Sequence, residues 1–161
     1  MKTARNSLAR PAVPDDLGGM LILLEPFVGT GDLLRRTPLE MLLALETFAV
    51  VVDDGGVVIG MGALKSYGSA LAEVQTLAVR EGSQGQGVGR RIVQHLIERA
   101  RQDGVREVFA LTRRPAFFQR LGFEPSSVEH FPAKIWRDCE RCPRQDACDE
   151  SAVRLLLDSL S

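Results

Sequence analysis

Residues 84–89 read Gln-Gly-Gln-Gly-Val-Gly, and Arg90 and Arg91 follow directly. An apolar, strand-like segment, residues 74–79, precedes this run, and an amphipathic stretch, residues 92–100, follows it. No other feature of the chain constrains the fold as strongly. A glycine turn between a strand and a helix leaves several backbone N–H groups without intrahelical acceptors and aims them at one point. With the positive end of the helix dipole they form an anion site, most often for phosphate.

Several readings compete for this pattern. A nucleotide P-loop needs Gly-Lys-Ser/Thr, the lysine for phosphate and the hydroxyl for magnesium; neither follows Gly89. A dinucleotide fold needs G-x-G-x-x-G at the strand end and an acidic residue after the next strand. Here Gly85, Gly87 and Gly89 alternate, and the next strand ends in Thr112-Arg113-Arg114. The chain beyond the loop is also too short for a complete dinucleotide fold. A glycine turn that merely caps a helix is the reading without a ligand. The reading that remains is a pyrophosphate cradle for coenzyme A.

The flanking sequence supplies the frame. Residues 8–13 suit a first strand, and Asp15 and Asp16 suit the start of a helix through residue 27, with Pro26 leaving its end open. Thr37-Pro38 is an N-cap followed by proline at the first helical position, opening a short helix over 39–45. Residues 48–52 form a strand, Asp53-Asp54-Gly55-Gly56 a hairpin turn, and 57–64 the returning strand. A turn at Tyr67-Gly68-Ser69 leads to a strand over 70–79. The post-glycine helix ends at Asp103-Gly104. A strand over 105–112 and a helix over 115–121 follow, and 153–157 could be a strand or a helix. This order predicts an α/β fold, a mixed sheet covered by helices. With 161 residues the chain suits a single domain, residues 1–161, with a core over about 8–130 and a cysteine-bearing extension over 131–161.

Composition removes some function classes. Formal net charge is −1, so no global field draws in nucleic acid or an anionic membrane. No signal-peptide pattern and no run of about 18 apolar residues is present, and a soluble cytoplasmic protein is expected. Cys139, Cys142 and Cys148 have metal-like spacing, but a structural zinc needs four ligands. His130, Asp149 or a partner chain would have to supply the fourth. Unmetallated thiols are the favoured reading, so no metal is expected.

Gln84-x-x-Gly87-x-Gly89 resembles the Q/R-x-x-G-x-G/A signature of the GNAT N-acetyltransferase superfamily. Glu73-Val-Gln-Thr-Leu-Ala-Val79 is similar to that superfamily's central strand, and Ala116-Phe-Phe-Gln-Arg-Leu-Gly-Phe123 to its later helix, which ends in L-G-F. Within the superfamily the chain most resembles short stand-alone N-acetylglutamate synthase-like enzymes. That likeness rests on Arg10-Pro-Ala, Leu34-Arg-Arg-Thr37, Gly62-Ala-Leu-Lys65, Val108-Phe-Ala-Leu-Thr112, Phe131-Pro-Ala-Lys-Ile-Trp136 and the Cys139-x-x-Cys-Pro143 to Cys148-Asp-Glu150 stretch.

The resemblance implies a mostly antiparallel central sheet flanked by helices and an acetyl-CoA-dependent transfer to an amine. It implies that Leu77, Ala78 and Val79 hold the pantetheine and polarise the thioester. It implies that Gln84, Gly85, Gln86, Gly87, Val88, Gly89 and Arg90 hold the pyrophosphate, and that Thr112, Phe117 and Phe118 complete the coenzyme site. Glu73 is the candidate base, against the alternative of a solvated strand carboxylate. Arg36 and Lys65 match carboxylate-binding positions of the synthases, and Arg113 is a further candidate near the meeting point of substrate and coenzyme.

Two departures matter. The helix position where the superfamily often places a tyrosine acid is Phe118, so proton delivery to the leaving thiolate falls to water. The Arg-x-Ser of the longer synthases is here Asp149-Glu-Ser151, which puts glutamate in question. Those synthases also carry an amino-acid-kinase-like domain that senses arginine, and inhibition by that route is not expected. The leading expectation is α-amine acetylation of a small amino acid, glutamate first, in arginine biosynthesis. The alternatives are another amine (an amino-sugar, a polyamine, a protein N-terminus) or a non-catalytic acyl-CoA sensor. A homodimer is possible.

Overall fold

The computed structural model describes residues 7–127 and 151–157. The three cysteines, His130, Asp149 and the 131–136 stretch lie outside the described residues. Among those described, seven strands form one sheet in the order β1-β2-β3-β4-β5-β7-β6. They are β1 (Arg10–Pro11), β2 (Phe48–Val52), β3 (Val58–Ser66), β4 (Leu71–Val79), β5 (Glu107–Thr112), β6 (Glu124–Ser126) and β7 (Ser151–Leu156). Every neighbouring pair is antiparallel except β4 and β5, which are parallel. The fold is thus the expected mixed, mostly antiparallel sheet with helices on its faces.

The helices are α1 (Leu17–Gly29), α2 (Pro38–Leu43), α3 (Val88–Gln102) and α4 (Pro115–Gln119). Helix α3 buries Val88, Ile92, Val93, Leu96, Ile97 and Ala100, one face at helical spacing. This stripe lies on β2, β3 and β4, and glycines let it approach. A Cβ at Gly60 would stand 2.5 Å from Val88 Cγ1, and one at Gly62 would stand 2.8 Å from Ile92 Cγ2. Strand alternation sends the intervening side chains to the other face, where Met61 and Ala63 join Met20, Leu23 and Leu24 of α1 and Met41 of α2 in a second core.

The structure revises the element ends for local reasons. The first strand shrinks from residues 8–13 to Arg10–Pro11, because Pro11 and Pro14 donate nothing to a ladder. Pro26 does not end α1, which continues to Gly29. The carbonyl it leaves without a helical donor belongs to residue 22, on the solvent side, where Ile22 is 77% exposed. Thr37 caps α2 by a reciprocal pair with Glu40, at 3.1 and 3.2 Å. The short strand β6 was not read from the sequence at all. The segment at 153–157 resolves as a strand, β7, inserted between β5 and β6, with Arg154 bonded to Glu124 at 3.0 Å and 3.6 Å from Glu107. At the other edge Arg10 grips Asp16 through two bonds of 2.8 and 3.0 Å, and Asp16 Oδ2 also accepts from the Val13 N–H. The Arg10 hydrogen bonds hold the Asp16 carboxyl below its ordinary range.

Candidate active site

The sheet opens where β4 and β5 part. They pair only through Leu71–Glu107, Ala72–Val108 and Glu73–Phe109. Beyond Glu73, β4 stays with β3 and β5 stays with β7, so among the described residues one edge of β4 has no partner strand. The opening coincides with a bulge. From Met61 to Ala63, β3 advances two residues while β4 runs three, from Ala78 back to Gln75. Thr76 absorbs the extra residue with φ +54°, and it is the one non-glycine residue with positive φ among those described. For a β-branched residue that costs on the order of 1–3 kcal/mol, the kind of strain that collects at functional sites.

Past the bulge the donors turn outward. The Arg80 N–H donates to the Ile59 carbonyl on β3 at 2.8 Å. Strand alternation then points the N–H groups of Val79 and Leu77 to the open edge. Gln84 ties the following loop to the strand end, its Nε2 donating to the Val79 carbonyl at 3.1 Å. The glycine loop follows. Gly85 and Gly87 have φ of +78° and +81°, a conformation that side chains other than glycine resist. Gly87 is the N-cap of α3. Gly89 has a different duty, since a Cβ there would stand 3.3 Å from Phe117 Cζ and 3.5 Å from Val79 Cγ2.

The side chains around the loop divide. Gln86 and Arg90 are exposed, whereas Val88 is buried in the core and can offer only its N–H. Phe117 flanks Gly89. Phe118 is 4% exposed and packs edge-on against Phe117 and Phe123, each at 5.1 Å, so its ring belongs to the core. Thr112 ends β5, and its Oγ1 accepts from the Arg114 N–H at 2.9 Å. An open β4 edge, two left-handed glycines and the first-turn N–H groups of α3 follow one another along the chain. They suit an extended ligand that carries phosphate at one end.

On the α1–α2 face of the sheet, polar side chains gather. Lys65 and Glu73 are register partners, as are Ala63 and Gln75, so all four share this face. A cleft of ≈ 470 Å³ is lined there by Arg36, Lys65 and Gln75, with Glu46 and Leu34 among its other walls. The structure thus brings Arg36 and Lys65 together. Glu73 is only 6% exposed. Its Oε1 accepts from the Tyr67 hydroxyl at 2.8 Å and from Gln75 Nε2 at 2.7 Å. Gln75 Oε1 accepts from Arg36 Nη2 at 3.1 Å. Arg113 is not on the cleft wall but forms an ion pair with Asp32, in the loop after α1. Tyr67, Gln75 and Asp32 were not singled out for the site from the sequence. The i, i+2 spacing of Glu73 with Gln75 and of Lys65 with Tyr67 was the available signal for two of them.

A second groove, ≈ 260 Å³, lies between α3 and β1 and is lined by Pro11, His95, Glu98, Arg99 and Gln102. Burial, then the nearby Arg99 charge, lowers the His95 pKa. It shares no residue with the cleft. No group of metal-ligating side chains occurs among the described residues, and no helix there is long and apolar enough to cross a membrane.

Known proteins share this architecture. The chain is 37% identical over 150 residues to an uncharacterized N-acetyltransferase of Chlorobaculum tepidum, covering 93% of this chain and 96% of that one. It is 35% identical to an amino-acid acetyltransferase of Pseudomonas fluorescens over 78% of its own length, yet spans only 29% of that protein. An N-acetylglutamate synthase from Neisseria gonorrhoeae, complexed with coenzyme A and N-acetyl-glutamate, superposes with a TM-score of 0.83 at 26% identity. That match covers 94% of this chain and 35% of the synthase. Rv2747 of Mycobacterium tuberculosis, in complex with CoA and NLQ, matches at 0.81 and 26% identity over 94% of this chain and 99% of that one. The model of the acetyltransferase (GNAT) family matches residues 22–123. With that match and those relatives, the chain belongs to the GNAT acetyltransferase family.

Proposed function

We propose that this protein transfers the acetyl group of acetyl-CoA to the α-amine of a small acidic amino acid, with glutamate the first candidate. The observation that carries this reading is the cleft in which Arg36 and Lys65 meet on the same sheet face as Glu73. Two cations suit two carboxylates, and the arginine can hold one of them bidentately. The likeness to amino-acid acetyltransferases and to an N-acetylglutamate synthase supports the same substrate class.

Each residue then has a task. The N–H groups of residues 85–90 and the Arg90 side chain take the pyrophosphate at the start of α3. Gln84 keeps the loop against Val79. The Leu77 and Val79 N–H groups, freed by the parting of β4 and β5, hold the pantetheine and stabilise negative charge on the carbonyl oxygen. Acetyl-CoA supplies the activated acyl group. Arg36 and Lys65 anchor the acceptor carboxylates and place its amine toward β4. Glu73 takes the ammonium proton, directly or through water, and so frees the nitrogen lone pair. As the new C–N bond forms and the C–S bond breaks, the leaving thiolate takes its proton from water, because Phe118 has no acidic group.

Release of CoA thiol measured across a panel of amines tests the reading. Turnover is expected with glutamate or a close acidic analogue, and Arg36→Ala or Lys65→Ala is expected to lose it. Unchanged glutamate kinetics in both variants would sink the substrate assignment. Acetyl-CoA binding without turnover on any amine would make the protein a sensor instead.

A further inference from the structure

We propose that Tyr67 is a positioning residue for Glu73; the inference rests on the acetyl-transfer reading above and adds a group to its machinery. Tyr67 stands just after β3 and is 9% exposed. Its ring leans on Phe109 at 5.9 Å and packs with Ala152 and Leu71. The Lys65 ammonium lies 5.1 Å from the ring centroid. A buried tyrosine needs a partner for its hydroxyl, and a backbone carbonyl would serve if packing were its only role. Here the hydroxyl reaches the one carboxylate buried on the cleft face of β4.

The consequence is geometric. Tyr67 and Gln75 both donate to Glu73 Oε1. Donation from both to one oxygen fixes the plane of the carboxylate. Gln75 is tied in turn to Arg36, so Arg36, Gln75, Glu73 and Tyr67 form one hydrogen-bonded line from the acceptor cleft to the far end of β3. Tyr67 anchors the end of that line away from the cleft. Removing its hydroxyl leaves the ring in place and takes away a donor that orients the proton acceptor.

The chain contains one tyrosine, which makes the contact measurable without substrate. Labelling the intact protein with 3-fluorotyrosine places fluorine at position 67 alone, and a fluorine NMR titration reads that phenol. Among the described residues, the charged groups facing it are Glu73 from β4 and Lys65 from β3, while Phe109 of β5 and Ala152 of β7 carry no charge. A neighbouring carboxylate opposes phenolate formation. Glu73→Gln is therefore expected to lower the phenol midpoint by about one pH unit, and an unchanged midpoint overturns the proposal. In parallel, Tyr67→Phe is expected to reduce kcat roughly tenfold with the KM for acetyl-CoA unchanged; an unaltered kcat also overturns it. The two failures separate. An unmoved titration breaks the link between Tyr67 and Glu73, whereas a moved titration in a protein that acetylates no amine breaks the reading on which the proposal rests.

Discussion

The proposed coenzyme side and the proposed acceptor side of this molecule are built from different materials. Along the β4 edge and the glycine loop, backbone N–H donors dominate, and several side chains are minimal or turned into the core, as at Gly85, Gly87 and Val88. On the α1–α2 sheet face, long polar side chains at and behind the cleft hold one another: Arg36 on Gln75 in its wall, and Gln75 and Tyr67 on Glu73. A backbone site recognises what every acetyl donor shares, the pyrophosphate and pantetheine. A side-chain site can be exchanged residue by residue to fit a particular amine. The division predicts that damage to one side leaves binding at the other intact.

The largest effect is expected at the loop. Gly87→Val forces a β-branched residue into φ +81° at the start of α3. It should lower kcat/KM for acetyl-CoA by a hundredfold or more, a loss on the order of 3 kcal/mol. The acceptor KM should hold, and a matching rise in it would mean that the two sides are not independent. Next is Glu73→Gln, which keeps the shape of the clasp but cannot take a proton. Its kcat should fall roughly a hundredfold, while calorimetric binding of CoA stays at the wild-type affinity.

Smaller effects concern the frame. Gly60→Ala places a methyl 2.5 Å from Val88 Cγ1 and 2.8 Å from Ile92 Cδ1. Urea unfolding should show a loss of about 1–3 kcal/mol, with the acceptor cleft on the other face unaffected in the surviving folded protein. The smallest should come from Asp16→Asn. The Asp16 carboxyl is held below its ordinary pKa by Arg10. Its ionised form therefore contributes stability above the unfolded value of about 3.9, lost as pH falls through the folded value. The variant should be less stable by about 1 kcal/mol at pH 7, and the gap should close in acid unfolding experiments. A gap that persists at the lowest pH would mean that packing, not charge, ties the first strand down.

The two sides also differed in how far the sequence disclosed them. The loop was legible because glycines at 85, 87 and 89 are a local signal, and each now has a local reason, φ at two and contact with Phe117 at the third. Residues 48–52 and the hairpin after them were legible from β-branched runs and a turn signal. The cleft was only half legible. Arg36 and Lys65 were found by resemblance, but their meeting depends on the loop before α2 lying over β3, a tertiary fact. Arg113 drew notice by its position after β5, yet its charge is engaged by Asp32, far away in sequence. The bulge at Thr76 carries no composition signal, because threonine is an ordinary strand residue and the extra residue shows only in the register with β3. Strand β6 escaped because three residues with a proline among them do not read as a strand.

On the proposed division, Arg36 serves acceptor recognition and the glycine loop the coenzyme. Steady-state CoA release by wild type and Arg36→Ala, with glutamate and acetyl-CoA varied in turn, tests it most directly. The expected result is a fall of roughly tenfold to a hundredfold in kcat/KM for glutamate, about 1.5–3 kcal/mol for a charged hydrogen-bonded contact, with the KM for acetyl-CoA unchanged. Equal losses for both substrates, or none for glutamate, would contradict it.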